Sequence, residues 1–166
     1  MKSLTLIRHA KSSWDDVSLT DAERPLNRRG ERDAPKMAER LASRGLMPDL
    51  IVASPAVRAS TTADIIAGKL QYPRERIVRE PSLYLASLDE LLDITAAQDD
   101  TLNHLVLVGH NPGLTMYANM LVPGITNNVP TAGIVSVTVG RDDWVLYSDP
   151  RAQLDFFDYP KKLTAY

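Results

Sequence analysis

The chain has 166 residues, 44% of them hydrophobic and 24% charged, with a formal net charge of −2; this is the size and balance of one globular domain, residues 1–166, with a sizeable core. The slight acidity excludes a protein that grips nucleic acid through a basic field, and the absence of cysteine excludes disulfides, thiolate nucleophiles and cysteine-ligated zinc or iron–sulfur sites. No apolar run approaches the roughly 20 residues of a membrane span and the N-terminus lacks a signal-peptide apolar segment, so a cytoplasmic protein with no membrane partner is expected.

Residues 3–8 read as a buried strand that delivers Arg8 and His9 into a loop. A guanidinium forks bidentately onto anionic oxygens, and an imidazole serves as nucleophile, base or acid near neutral pH, so the pair suits a phosphoryl group. Lys11 and Ser12, just past His9, are candidates for substrate binding. The polar stretch from Trp14 to Arg29, with Arg24, Arg28 and Arg29, reads as a largely solvated loop. Asn27 is placed as the cap of a helix through Arg44, with Ala34, Met37, Ala38 and Leu41 on one face and Gly45 as its stop. Pro35 leaves two readings open, a kink there or a regular helix that begins near Asp33.

A second strand over residues 50–53 leads to Ser54 and Pro55, read as N-cap and first helical residue of a helix to about Leu70. Its expected inward face is Val57, Thr61, Ile65 and Leu70, with Arg58 and Thr62 toward the edge. Arg58 then stands in a first turn whose free N–H groups already favour anions. A short strand is expected over residues 76–79. Ser87-Leu88-Asp89-Glu90 forms a capping box for a helix to about Ala97, which gives Asp89 and Glu90 a structural use.

His104 opens a strand over residues 105–108 and is assigned no role. His110 follows that strand and precedes Asn111-Pro112-Gly113, a turn that lets backbone approach a ligand; Asn111 joins the substrate-binding candidates. A helix with Met116, Tyr117, Met120 and Leu121 comes next. Residues 134–139 and 144–148 flank Gly140-Arg141-Asp142-Asp143 and read as a hairpin that finishes the sheet. The tail over 150–166 has too little period to assign and is taken as peripheral.

Three buried-type strands thus end in Arg8-His9, in Ser54 ahead of Arg58, and in His110. In an α/β sandwich of three layers, with a mostly parallel sheet between helices, such ends share one edge, where ligands bind. None of the three histidines sits in a metal-ligand spacing, so neither a metal nor a cofactor is expected.

Arg8-His9-Ala10-Lys11-Ser12, Arg24-Pro25-Leu26 through Gly30, Ser54-Pro55-Ala56-Val57-Arg58-Ala59 and Gly109-His110-Asn111-Pro112-Gly113 occur in the order seen in the histidine phosphatase superfamily. Within it the chain resembles the small SixA-type phosphohistidine phosphatases over most of its length. The resemblance implies a phosphoglycerate-mutase-like fold and a metal-independent phosphatase. In that family pattern His9 attacks phosphorus to form a phosphohistidine intermediate that water hydrolyses, Arg8 and Arg58 hold the phosphoryl oxygens, and His110 donates a hydrogen bond to the phosphoryl group. Spacing alone leaves the choice between the two histidines open.

Family members that cleave esters carry an acid near the start of the segment after the middle strand. Matching Pro81-Ser82-Leu83-Tyr84 to that segment puts Ser82 in the acid's place and leaves Glu80, Asp15 and Asp16 as candidate substitutes. The missing acid, and the short span between Arg58 and His110, favour phosphohistidine on a signalling or carrier protein as substrate. A general small-molecule phosphomonoesterase and a weakly catalytic phosphate-binding module stand as alternatives. The expected assembly is a monomer whose partner is a phosphorylated protein or small phosphorylated substrate, with no nucleic acid.

Overall fold

A computed structural model describes residues 1–163. Strand β1 (Lys2–Arg8) sends Leu4 and Leu6 into one apolar cluster and Ile7 into another on the opposite face. Strands β2 (Leu50–Ala53) and β4 (His104–Gly109) divide in the same way: Val52, Leu105 and Leu107 go to the first cluster, Ile51, Ala53, Val106 and Val108 to the second. Burial on both faces is why these stretches are continuous apolar runs. With β3 (Val78–Arg79), β5 (Ile134–Val139) and β6 (Ala152–Asp158) they form one sheet of order β3-β2-β4-β1-β5-β6. The first four strands in that order are parallel, and β5 and β6 add antiparallel pairs. Ile7 and Ala53 both lie level with Val108, so the chain leaves β1, β2 and β4 side by side.

Helices α1 (Arg28–Ser43) and α2 (Val57–Lys69) pack on one face; α3 (Leu88–Ala96) and α4 (Gly113–Leu121) pack on the other. Asn27 caps α1 through Gly30 N–H, and the helix runs unbroken through Pro35 from Arg28. Pro35 stands on the exposed side, where the lost hydrogen bond is least costly. Ser87 and Glu90 form the expected capping box on α3.

Helix α2 departs from expectation in two respects. It begins at Val57, after Ser54 and Pro55: Ser54 Oγ lies against His110 Nε2 and meets Ala56 N–H but does not cap the first turn. Its buried face is Arg58, Ala59, Thr62, Ala63, Ile66 and Ala67, whereas Val57 is 40% exposed and Thr61, Ile65 and Leu70 are partly exposed. Alanine carries little hydrophobic signal but lets a helix lie close to its neighbours, and Ala34 and Ala38 of α1 share the same cluster. The C-terminal hairpin also differs. The partner of β5 is β6, with Val139 opposite Ala152 and Ile134 opposite Asp158. Trp144 and Leu146, expected in a strand, are fully buried plugs of the core, and Trp144 Nε1 donates to the Leu102 carbonyl at 3.1 Å. The stretch taken as a peripheral tail therefore contains a sheet strand, Ala152–Asp158; residues 164–166 lie outside the described part. No helix among the described residues is long and apolar enough to cross a membrane.

Candidate active site

His9 and His110 leave adjacent parallel strands, with Arg8 opposite Gly109 and His9 N–H donating to the Gly109 carbonyl at 3.0 Å. Their rings stand 5.1 Å apart, and both side chains are buried. His9 Nδ1 is 2.8 Å from the Ala10 carbonyl oxygen. A carbonyl only accepts, so Nδ1 carries the proton and Nε2 keeps a free lone pair in the neutral ring. Burial is the largest influence on His9 and lowers its pKa to about 4; the hydrogen bond to the Ala10 carbonyl opposes it, and the charges of Arg58, Arg8 and Arg24 add to the lowering. His110 is lowered to about 3 by burial and then by His9 and Arg58. Its Nε2 lies 2.7 Å from Ser54 Oγ, which also accepts from Ala56 N–H.

Arg8 donates from Nη1 to the Val129 carbonyl at 2.9 Å. Arg58, only 3% exposed, donates from Nη1 to the Asp21 backbone carbonyl at 2.6 Å and from Nη2 to Asp21 Oδ2 at 2.9 Å. These contacts occupy the outer parts of the two guanidinium groups. Among the described residues, three buried side-chain polar atoms have no partner: Arg8 Nε, Arg58 Nε and His110 Nδ1. An unpaired buried donor costs about 1–3 kcal/mol. These atoms fall on Arg8, Arg58 and His110, three of the residues the sequence singles out, around a neutral His9.

Asp21, in a short 3₁₀ turn over Asp21–Glu23, is the hub that the sequence reading missed. Its carboxylate accepts from Arg58, Arg24 and the Tyr84 hydroxyl. The Tyr84 hydrogen bond first, then Arg58, holds its carboxyl well below the usual range, so it is ionised; the same bond pushes the Tyr84 phenol up. Tyr84 also stands edge-on to His110, with ring centroids 5.4 Å apart. Nothing in the sequence separates Asp21 from Asp15 and Asp16 in the same loop, because its role depends on a residue 63 positions away. Arg24 is the one loop cation that turns inward: it is buried, donates to Asp21 and Ser12, and stacks on Trp14 at 3.5 Å.

The remaining candidates are placed as follows. Lys11 is half-buried beside the site, and its backbone carbonyl accepts from Asn27 N–H. Gly30 presses on that backbone so closely that a Cβ there would lie 2.1 Å from the Lys11 oxygen. Ser12 Oγ accepts from Arg24 Nη1 at 2.7 Å and so serves to hold Arg24. The Asn111 amide is engaged at both ends, donating to Asn128 and Val129 and accepting from Thr115 N–H and Oγ1; it ties down the loop that supplies the Arg8 acceptor. Ser82 Oγ donates to Glu80 Oε1 at 2.5 Å, and both line a cleft with Asp93 and Gln98, apart from the histidines. Asp15 and Asp16 are exposed, and Asp16 accepts from Ser18. The carboxylate that joins the site is thus Asp21, in place of Glu80, Asp15 or Asp16. Among the described residues no three His, Asp or Glu side chains form a group that holds a metal.

Residues 4–84 match the histidine phosphatase superfamily (branch 1). An uncharacterized protein of Picosynechococcus is 34% identical over 142 residues, which are 82% of this chain and 85% of that one. An uncharacterized chloroplastic protein of Arabidopsis thaliana is 38% identical over 128 residues, 72% of this chain and 59% of its own length. The mitochondrial serine/threonine-protein phosphatase Pgam5 of Drosophila ananassae is 36% identical over 77 residues, and the match covers 46% of this chain and only 26% of that protein. Among solved structures, a phosphohistidine phosphatase SixA from Agrobacterium tumefaciens superposes with a TM-score of 0.81 at 27% identity, covering 96% of this chain and 98% of the other. SixA complexed with tungstate shares the fold, with a TM-score of 0.79 at 21% identity over 95% and 97% of the two chains.

Proposed function

Because the chain belongs to the histidine phosphatase superfamily, we propose that it removes the phosphoryl group from phosphohistidine on a signalling or carrier protein, through a covalent intermediate on His9. The observation that carries this reading is the set of unpaired buried atoms on Arg8, Arg58 and His110 around a His9 whose Nε2 lone pair is bare.

In the first step Nε2 of His9 attacks phosphorus, and the bond from phosphorus to the substrate's ring nitrogen breaks with its electron pair kept by the departing imidazole. The Nε–H groups of Arg8 and Arg58 take phosphoryl oxygens, and their charge stabilises the transferring group without rearrangement. A neutral His110 that accepts the Ser54 hydroxyl proton at Nε2 presents Nδ1–H to a third oxygen. In the second step water attacks phosphorus, His9 leaves as a neutral imidazole, and the water's proton is lost by way of the phosphate oxygens to solvent. Asp21 is ionised at rest, held so by the Tyr84 hydroxyl and Arg58. The same ionisation makes it a poor donor to an alkoxide, whereas a departing imidazole is readily protonated by solvent. This supports phosphohistidine over a sugar phosphate as substrate. The fixed Nδ1–H tautomer of His9 supports turnover over mere phosphate binding.

The test is to mix enzyme with a phosphohistidine peptide, quench, and look for acid-labile phosphate on His9. Wild type should carry it and His9→Ala should not. A His9→Ala enzyme that still becomes labelled and turns over normally would remove His9 as nucleophile.

A further inference from the structure

We propose that a basic groove between α1 and the segment after β6 binds an acidic stretch of the phosphorylated protein and leads it to the catalytic residues. The proposal rests on the phosphohistidine reading above. The groove has a volume of about 480 Å³ and is lined by Arg32, Lys36, Arg40, Lys161, Lys162 and a single carboxylate, Asp33. Asp33 is 2% exposed and already faces Arg29 at 3.5 Å and Arg32 at 3.2 Å. Asp158, buried beneath, accepts from Arg40 at 2.8 Å. Two buried carboxylates therefore stand against five cations, in a chain whose net charge is −2.

The spacing on α1 argues against an ordinary solvated face. Arg28, Arg32, Lys36 and Arg40 recur every four residues, so each cation stands one turn from the next. A solvated helix face gains from alternating signs at this spacing, while a row of like charges destabilises the isolated helix. Arg40 is held by Asp158 and by the carbonyls of Tyr159 and Lys162, and Lys36 donates to the Pro160 carbonyl at 2.7 Å. These bonds shape the groove and, apart from Asp158, leave its charge in place.

The groove is also tied to the site. The row begins at Arg28, next to Asn27, whose N–H donates to Lys11, and Lys11 follows two residues after His9. The other wall grows from the end of β6, where Asp158 pairs with Ile134 and Ile134 with Ile7 of β1. Two strand spacings, roughly 10 Å, separate Asp158, at the foot of that wall, from Ile7, two residues before His9. An acidic segment lying along the groove therefore runs up to the phosphoryl site, where charge complementarity speeds encounter and sets orientation.

Three probes test this: a phosphohistidine peptide flanked by four glutamates, the same peptide with glutamines in their place, and phosphoramidate, which is too small to reach the groove. At low salt the wild type should favour the glutamate peptide in kcat/KM by about tenfold, the lower end of electrostatic steering, and added salt should erase the preference. Arg32→Glu with Lys36→Glu should abolish the preference and leave turnover of phosphoramidate unchanged. Arg32→Gln with Lys36→Gln, a milder change that spares the fold, should reduce it. Equal rates on the two peptides, or a preference that survives the charge reversal, would overturn the groove. If all three probes are inert, the phosphatase reading itself fails and the docking proposal falls with it.

Discussion

Thr62 offers a sharp test of how the site is held. Its hydroxyl, on a residue 1% exposed, accepts from Ala10 N–H at 3.0 Å and donates to the Arg58 carbonyl at 2.8 Å. The carbonyl of the same residue, in the next peptide group, accepts from His9 Nδ1. One hydroxyl thus couples the first turn of α2, with Arg58, to Ala10, the residue whose carbonyl sets the His9 tautomer. Thr62→Val keeps the shape and removes the hydroxyl, which leaves the buried Ala10 N–H unpaired at a cost of about 1–3 kcal/mol. For a chain of this size that is a fall in Tm of about 2–12 °C. Loss of the anchor leaves the His9–Ala10 peptide held only through the His9 carbonyl by Ala132 N–H, which loosens Ala10 and the carbonyl that fixes His9 Nδ1. A displacement of His9 by even ~1 Å is enough to lower kcat about 10²-fold, so a loss of 10–100-fold is expected. Thr62→Ser should restore most of the rate. Ring ¹⁵N shifts supply the readout that a purely structural role would not move: wild type should show His9 protonated at Nδ1, and the valine variant a mixture of tautomers. If Thr62→Val loses stability but keeps both the tautomer and kcat, Thr62 has no positioning role and the coupling argued here is wrong.

Two further outcomes follow from the site's electrostatics. His9 is lowered to about 4 and His110 to about 3, below the ordinary unfolded value near 6.5. The unfolded chain therefore binds more protons in this window, so stability is complete above about pH 6.5 and is lost as pH falls through the folded values. The His9 shift alone amounts to about 3 kcal/mol; urea unfolding at pH 7.5 and pH 4.5 measures the loss, and equal stabilities would contradict it. The acid limb of kcat/KM should likewise fall near pH 4 and not near 6.5. Arg58→Lys should lower the rate about 10²–10³-fold, because an ammonium replaces neither the unpaired Nε–H nor the fork onto Asp21. Arg74→Lys, on an exposed turn, serves as the control in the same assay, and a reversed order of damage would show that the site is misplaced.

What the sequence made legible was the sheet edge. Strands β1, β2 and β4 are buried on both faces, so each appears as an unbroken apolar run, and the polar residues just past those runs had to emerge together. The errors arose where burial is achieved without large apolar residues or without periodicity. The buried face of α2 is built from alanines, a threonine and an arginine, so a reading by hydrophobic size chose Val57, Thr61, Ile65 and Leu70 instead. Trp144 and Leu146 alternate as in a strand, but they are drawn into the core from an irregular loop. Strand β6 looked formless because its exposed residues, Gln153, Leu154 and Asp155, fall in an unbroken run, and the register shift between Ser136 and Val137 breaks the two-residue alternation. Asp21 and Tyr84 illustrate a different limit: each gains its role only from a partner far away in the chain.

The placement of β1 also governs when the protein becomes an enzyme. Of the strands described, the earliest in the sequence is an interior strand: Leu4 pairs with Leu105 on one side and Val137 on the other. A nascent chain that has reached β2 and α2 already contains Arg8, His9 and Arg58, yet it has no β4 to set His9 beside His110 and no Val129 to seat Arg8. Both edges of β1 stay open until pairing across these long separations, which is intrinsically slow. During that interval the apolar run from Leu4 to Ile7 is the segment most in need of shielding from other chains. The proposed site is therefore complete only once residues 104–129 have been made, and a chain interrupted before them carries three of the four groups proposed to act on phosphate without the fourth.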